Sequence, residues 1–257
     1  MTITTLDRHI PFAQCFNFRD LGGYRTISGR SIRWRRLFRS AALHYVTPED
    51  AAAVRDVLGI ATVLDLRSEK ELAESGKGIL FDGRIQHLHL PLLQMRTITG
   101  GTAEDIHNPP VAPLNPPLVS PEDAYFEIMR KGGPRIAAAI ETLAAPGRYP
   151  AVFHCAAGKD RTGIVAAVVL GVLGVDDEDI VQDYALTNRH IHSIVQRARA
   201  MRNAPSEEGM ERYEAKPERM RMLLEKVRGE FGSVTGFVRA NGIDAGTIAQ
   251  LRENLLA

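Results

Sequence analysis

Cysteine is nearly absent from this sequence. Of 257 residues only Cys15 and Cys155 are cysteines, which excludes a disulfide scaffold and a four-thiolate zinc site. So few thiols fit a reducing compartment, where one cysteine stays free to react. Charge of one sign is lacking too: 32 basic and 31 acidic residues leave a net +1, so no global field draws nucleic acid or an anionic membrane. Long hydrophobic runs are missing, and the longest, Ile164 to Val175, is too short to span a bilayer. The first residues, MTITTLDRHIPFAQ, have neither the basic start nor the apolar core of a signal peptide. The expectation is a cytoplasmic protein with no stable membrane insertion and no nucleic-acid partner.

What is present belongs to an ordinary folded chain, at 44% hydrophobic and 25% charged. Helical and strand-like segments alternate, which predicts α/β architecture. Thr47-Pro48-Glu49-Asp50 reads as an N-cap, a proline at the first helical position and acids in the first turn, with a helix running to Leu58 and stopped at Gly59. Ile60 to Leu66 is an almost continuous apolar run, the mark of a strand buried on both faces. A further strand is predicted at Gln86 to Leu92, a long loop over 96–121, helical structure from Ala124, and a helix from Pro134 to Ala145. Tyr149 to His154 is a short strand, and the apolar helix Ile164 to Val175 belongs at the centre. Beyond Asp176 the chain reads as mostly helical and charged, with a compact helical end over 232–257.

Between that strand and that helix lies HCAAGKDRTG, residues 154 to 163. A cysteine is a nucleophile only as its thiolate, and a helix N-terminus favours that anion. Successive backbone N–H groups of Ala156, Ala157, Gly158, Lys159, Asp160 and Arg161 can cradle phosphate oxygens. Gly158 permits the tight turn. Arg161 can return to the cradle and bind two oxygens with its planar fork. Thr162 can donate to the sulfur as it leaves, and His154 orients the loop by hydrogen bonding rather than serving as a base. These residue types at these offsets arise by chance with odds on the order of one in a hundred million per position, which sets aside a structural cysteine beside a glycine turn. A Walker A loop fails, because no Ser or Thr follows Lys159 and Phe153 stands where its first glycine belongs.

The loop resembles that of the protein tyrosine phosphatase superfamily, and within it the bacterial branch reading HCxxGKDRTG. Asn17-Phe18-Arg19-Asp20-Leu21-Gly22-Gly23-Tyr24 is similar to the N-terminal signature of that branch. Leu64-Asp65-Leu66-Arg67-Ser68 with Glu71 is similar to its central strand, and Asp183 to Asn188 to the stretch after the loop helix. The resemblance implies a central, mostly parallel sheet flanked by helices in one domain over 1–257. It also implies catalysis without metal or other cofactor, and activity on phosphotyrosine of proteins, with dual specificity toward phosphoserine and phosphothreonine, or on phosphoinositides, with inorganic phosphate as product. Chemistry would run through a phosphocysteine on Cys155. A monomer is expected. The alternatives are a phosphoinositide phosphatase, for which Lys159 adds charge to the loop, and an inactive phosphate-binding adaptor.

The leaving group needs a proton donor. Many tyrosine phosphatases use an aspartate marked by Trp-Pro-Asp, but the one tryptophan here is Trp34, within IRWRR. Asp160, inside the loop, is the first candidate, against a plainer role as a helix N-terminal acid. Asp65, at the C-terminal end of its strand, is the second, against a plainer role as partner to Arg67. His87 and His89 share a strand face but lack a third ligand nearby, so a structural role is expected. Arg33, Arg35 and Arg36 either draw an anionic surface or are solvated. Cys15 reads as a buried, inert thiol. Residues 195–230, holding Met201, Met210, Met220 and Met222, read either as a helical lid of the kind related bacterial phosphatases carry, or as a fixed outer helical pair.

Overall fold

The apolar runs pair into one sheet. In the computed structural model, residues 7–92, 121–202 and 213–257 are described. Strands β1 (Arg19–Asp20), β2 (Leu37–Ser40), β3 (Thr62–Asp65), β4 (Gln86–His89) and β5 (Ala151–His154) form a five-stranded sheet in the order β1-β2-β5-β3-β4. Only β1 runs antiparallel to its neighbour. β2, β5, β3 and β4 are parallel, with Asp65 level with His154 and Ser40 level with His154 on the other side. Alternate residues of the central strands serve opposite cores. Phe38, Val63 and Val152 pack with Cys15, Phe18 and Leu58, while Leu37, Leu64 and Phe153 pack with the larger helical layer. Burial on both faces is why these strands read as continuous apolar runs rather than alternating ones.

Helix α1 (Pro48–Ala52) starts with the expected cap: Thr47 accepts from the Asp50 amide and Asp50 accepts from the Thr47 amide. Ala53–Val57 then winds more widely, as a π-type turn, before Leu58 and Gly59. Helix α2 (Glu69–Ser75) has a second capping box, between Ser68 and Glu71. α3 (Pro121–Lys131) and α4 (Gly133–Ala144) follow, and then α5 (Asp160–Leu173), buried almost throughout. That helix starts at Asp160, four residues before the apolar run. α6 (Asp177–Ala185), α7 (Ile191–Arg202), α8 (Pro217–Phe231), α9 (Val234–Ala240) and α10 (Ala245–Leu255) complete the described chain. The sheet with helices against both faces is the predicted architecture. The expected loop over 96–121 lies, but for Pro121, outside the described residues. Among the described residues no helix is long and apolar enough to cross a membrane.

Of the two readings for residues 195–230, the described part fits the fixed outer pair. α8 buries Met220, Leu223, Leu224 and Val227 in the main core, and it lies against α3 and α6. A helix whose apolar stripe is spent in the core is a fixed outer layer. Residues 203–212, within the 195–230 segment, lie outside the described residues.

Candidate active site

The loop leaves the end of β5 and enters α5 with its carbonyls turned outward. Ala156 O accepts from the Ala42 amide at 3.0 Å, and Ala157 O lies 3.5 Å from Asn17 Nδ2. Gly158 O takes two donors, Asn17 Nδ2 at 2.9 Å and Arg39 Nη2 at 2.8 Å. With these carbonyls held outward, the alternating peptide geometry turns N–H groups toward the inside, as an anion cradle requires. Gly158 has φ +66°, and a Cβ there would sit 2.4 Å from Ser40 O. The position therefore needs glycine for both backbone and space.

The donors behind the loop are themselves braced. Asn17 takes a left-handed backbone, φ 58°, which an asparagine tolerates. Asp183 binds Arg19 Nε at 3.0 Å and Arg39 Nη1 at 2.5 Å, and Arg19 Nη2 also donates to the Asp183 carbonyl at 2.8 Å. Burial would raise the Asp183 carboxyl, but the two guanidiniums outweigh it and hold it at about 2. The N-terminal and post-loop signatures are thus two halves of one buried ionic brace. Arg39, which completes it, carries no sequence motif. Its only local signal is a charged residue inside a buried strand, Leu37-Phe38-Arg39-Ser40.

Arg161 is gripped by Glu71, Nη1 to Oε2 at 2.5 Å and Nη2 to Oε1 at 2.7 Å. Glu71 also accepts from the Ser68 amide at 2.7 Å, so the cap of α2 fixes the arginine's partner. Burial would raise the Glu71 carboxyl, but Arg161 outweighs it and brings it to about 2. Cys155 is buried at the base of the loop. Thr162 is fully buried and its hydroxyl has no hydrogen-bond partner among the described residues. A buried orphan hydroxyl is costly unless a reaction uses it. His154 Nδ1 lies 3.1 Å from the Cys155 carbonyl, and burial brings its imidazole down to about 4. It stays neutral and orients the loop.

The two acid candidates separate. Asp65 is entirely buried, chelated by Arg67 Nη2 at 2.6 Å and Nε at 2.9 Å, with His87 Nε2 at 3.2 Å. Burial would raise its carboxyl, but His154, His87 and Arg67 outweigh this and hold it well below the usual range. So enclosed, Asp65 takes the plainer of its two roles, as the partner of Arg67. It organises the end of β3. Asp160 is partly exposed, receives a hydrogen bond from the Tyr125 hydroxyl and lies 3.5 Å from Lys159 Nζ.

Lys159 departs from expectation. Its ammonium is turned away to the Tyr213 carbonyl at 2.8 Å rather than standing free for a ligand. His87 and His89 are structural, bonding Asp65 and the Arg67 carbonyl. Among the described residues no cluster of metal-ligating side chains occurs. Arg33, Arg35 and Arg36 precede β2, whereas the loop follows the parallel β5, so they lie at the opposite end of the sheet. Burial pushes the Cys15 thiol up to about 12, leaving it inert.

Comparison with known proteins follows this geometry. Triple specificity protein phosphatase PtpB of Mycobacterium tuberculosis is 31% identical, over 97% of this chain and 99% of its own. A tyrosine-protein phosphatase of Nostoc commune is 27% identical, over 84% of this chain and 73% of its own. Among solved structures, TpbA of P. aeruginosa aligns at 16% identity over 83% of this chain and 91% of its own, and its TM-score of 0.35 is too low to bear weight. The pattern of the tyrosine phosphatase family matches residues 10–257. A match that begins before Asn17 and runs to the last residue takes in every part of the loop and its braces, and the chain belongs to the tyrosine phosphatase family.

Proposed function

We propose that this chain hydrolyses phosphotyrosine on proteins through a phosphocysteine on Cys155. The observation that carries this reading is the set of outward-held carbonyls at Ala156, Ala157 and Gly158, which leaves the inner face of the loop to donors. The Cys155 thiolate attacks phosphorus, the bond from phosphorus to the leaving oxygen breaks, and Asp160 supplies that oxygen's proton. Arg161 binds two equatorial oxygens and stabilises the charge spread over them. Water then attacks the phosphocysteine, Asp160 takes the water's proton, and Thr162 donates to the departing sulfur as inorganic phosphate forms.

Cys155→Ser should abolish turnover of an aryl phosphate while vanadate still binds, and radiolabelled phosphate should trap on the native chain but not on the variant. Substantial residual turnover in Cys155→Ser would overturn the mechanism. A range wider than phosphotyrosine draws support from the relative whose name states triple specificity. A phosphoinositide would draw on the N–H donors that Lys159 retains beside its bond to the Tyr213 carbonyl. Phosphotyrosine peptides, phosphoserine peptides and a phosphoinositide panel, assayed side by side, separate these readings. The same proposal takes residues 1–257 as one domain acting as a monomer in the cytoplasm, and light scattering at a single-chain mass checks the monomer.

A further inference from the structure

Side chains from four helices meet at the first turn of α5. Tyr125 of α3 donates its hydroxyl proton to Asp160 Oδ1, and its oxygen lies 2.7 Å from the hydroxyl of Tyr184 on α6. The two rings meet edge to face, with centroids 6.0 Å apart. The Arg219 guanidinium of α8 lies 5.5 Å from the Tyr125 ring centre. Gly163 makes room for this: a Cβ there would come within 2.9 Å of the Tyr184 ring. Both tyrosines are buried. Phenylalanine would fill the same space, so the hydroxyls are explained by the hydrogen bonds they make. That chain of bonds ends on Asp160.

We propose that Tyr125, backed by Tyr184, is a positioning residue that fixes the Asp160 carboxyl group for proton delivery to the leaving oxygen. This rests on Asp160 being the general acid. Each phenol has one proton to give. Since Tyr125 gives its own to Asp160, Tyr184 must donate to Tyr125. Burial raises both phenols, so both remain donors across the working pH range. With Oδ1 engaged by Tyr125 and near Lys159, the proton to be transferred is carried on Oδ2. Among the described residues, the groups that face Asp160 are Tyr125, Tyr184, Lys159, Arg161 and Arg219. A hydrogen bond donated to a carboxylate favours its ionised form. Losing the phenol therefore raises the pKa of Asp160 while releasing its orientation. Mere structural damage would not produce that pair of effects.

The test is Tyr125→Phe, assayed on aryl phosphates of graded leaving-group pKa. The expected result is a loss of kcat of ~10-fold with phenyl phosphate and less than ~2-fold with a dinitrophenyl ester, at nearly constant KM. The basic limb of the kcat/KM profile should move up by ~0.5 pH unit. Tyr184→Phe should act in the same direction more weakly, and it serves if Tyr125→Phe does not fold. Asp160→Asn with Tyr125→Phe should be no slower than Asp160→Asn alone. If Asp160→Asn slows every ester equally, the general-acid assignment falls and takes this proposal with it. If Asp160→Asn is selective but Tyr125→Phe slows every ester equally, or leaves the basic limb in place, the positioning role alone is overturned.

Discussion

Two arginine–carboxylate pairs touch the same loop and do different work. Arg39 and Asp183 are 0% and 1% exposed, while Arg161 and Glu71 are 6% and 21% exposed. Arg39 gives Nη1 to Asp183 and Nη2 to the Gly158 carbonyl, and its Nε is buried without a partner among the described residues. It meets no substrate and acts by holding a peptide group in one orientation. Arg161 gives Glu71 two of its five N–H groups, which leaves others for an anion at the cradle. The chemistry of the pairs is alike, and burial divides them: the sealed pair shapes the loop, and the open pair is positioned to bind. A cation beside an anion site is therefore no evidence of binding until its remaining donors have been traced.

The comparison can be broken from either side. The largest effect is expected at the open pair, where Arg161→Ala should lower kcat by ~10³-fold or more with little change in thermal midpoint. Arg161→Lys should recover little, because an ammonium lacks the planar fork. Steady-state kinetics beside calorimetry checks both. At the sealed pair the order reverses. Asp183→Asn leaves Arg19 and Arg39 buried beside a neutral group and should destabilise the fold by ~3–5 kcal/mol, read as a lowered urea midpoint. Activity per folded molecule should fall far less than in Arg161→Ala. Glu71→Gln is intermediate: it keeps the shape of the α2 cap but loosens Arg161, and kcat should fall ~10-fold while stability drops by ~1 kcal/mol.

The smallest expected effect is a two-stage loss of thermal stability on acidification. Burial brings the imidazoles of His44, His154 and His190 down to about 4 from 6.5, so the fold prefers their neutral forms. That contribution is complete above pH 6.5 and is lost as pH falls toward 4. Glu71 and Asp183, held at about 2 against 4.5 and 3.8, contribute above those ordinary values and lose their share as pH falls toward 2. His154→Asn should reduce the first stage without touching the second, and Asp183→Asn should reduce the second without touching the first. Thermal midpoints measured across pH 2–8 decide it.

Much of the fold was legible because its signals are local. The apolar runs at 60–66 and 149–154, the Thr47 cap and the cysteine loop each carry their meaning within a few residues. Glu71 and Asp183 could be noticed within short signatures, but their partners lie 90 and 144–164 residues away, so their roles needed the folded chain. Arg39 and Tyr125 had no pattern at all, since one is a lone charge in a strand and the other an ordinary helix residue. Asp65 was correctly placed at the C-terminal end of its strand. What no spacing could convey was that Arg67, His87 and His154 would close around it. For residues 195–230 one signal did favour the fixed pair over the lid: Met220, Leu223, Leu224 and Val227 follow the i, i+3, i+4, i+7 spacing of a core-facing stripe.

The brace behind the loop has a consequence for the order in which activity is acquired. The Gly158 carbonyl is held by Asn17 and Arg39, and Arg39 by Asp183, so contacts separated by 119 to 144 residues must close before the loop has its shape. Contacts at such separation form late, because the closure entropy of the intervening chain must be overcome first. The pairing of β5 with β2 also spans 114 residues, from Leu37 to Ala151, so a partly folded molecule lacks both the strand and the cradle that place Cys155. Catalytic competence should emerge together with the last cooperative step of folding, and it should be among the first properties lost when the chain begins to open.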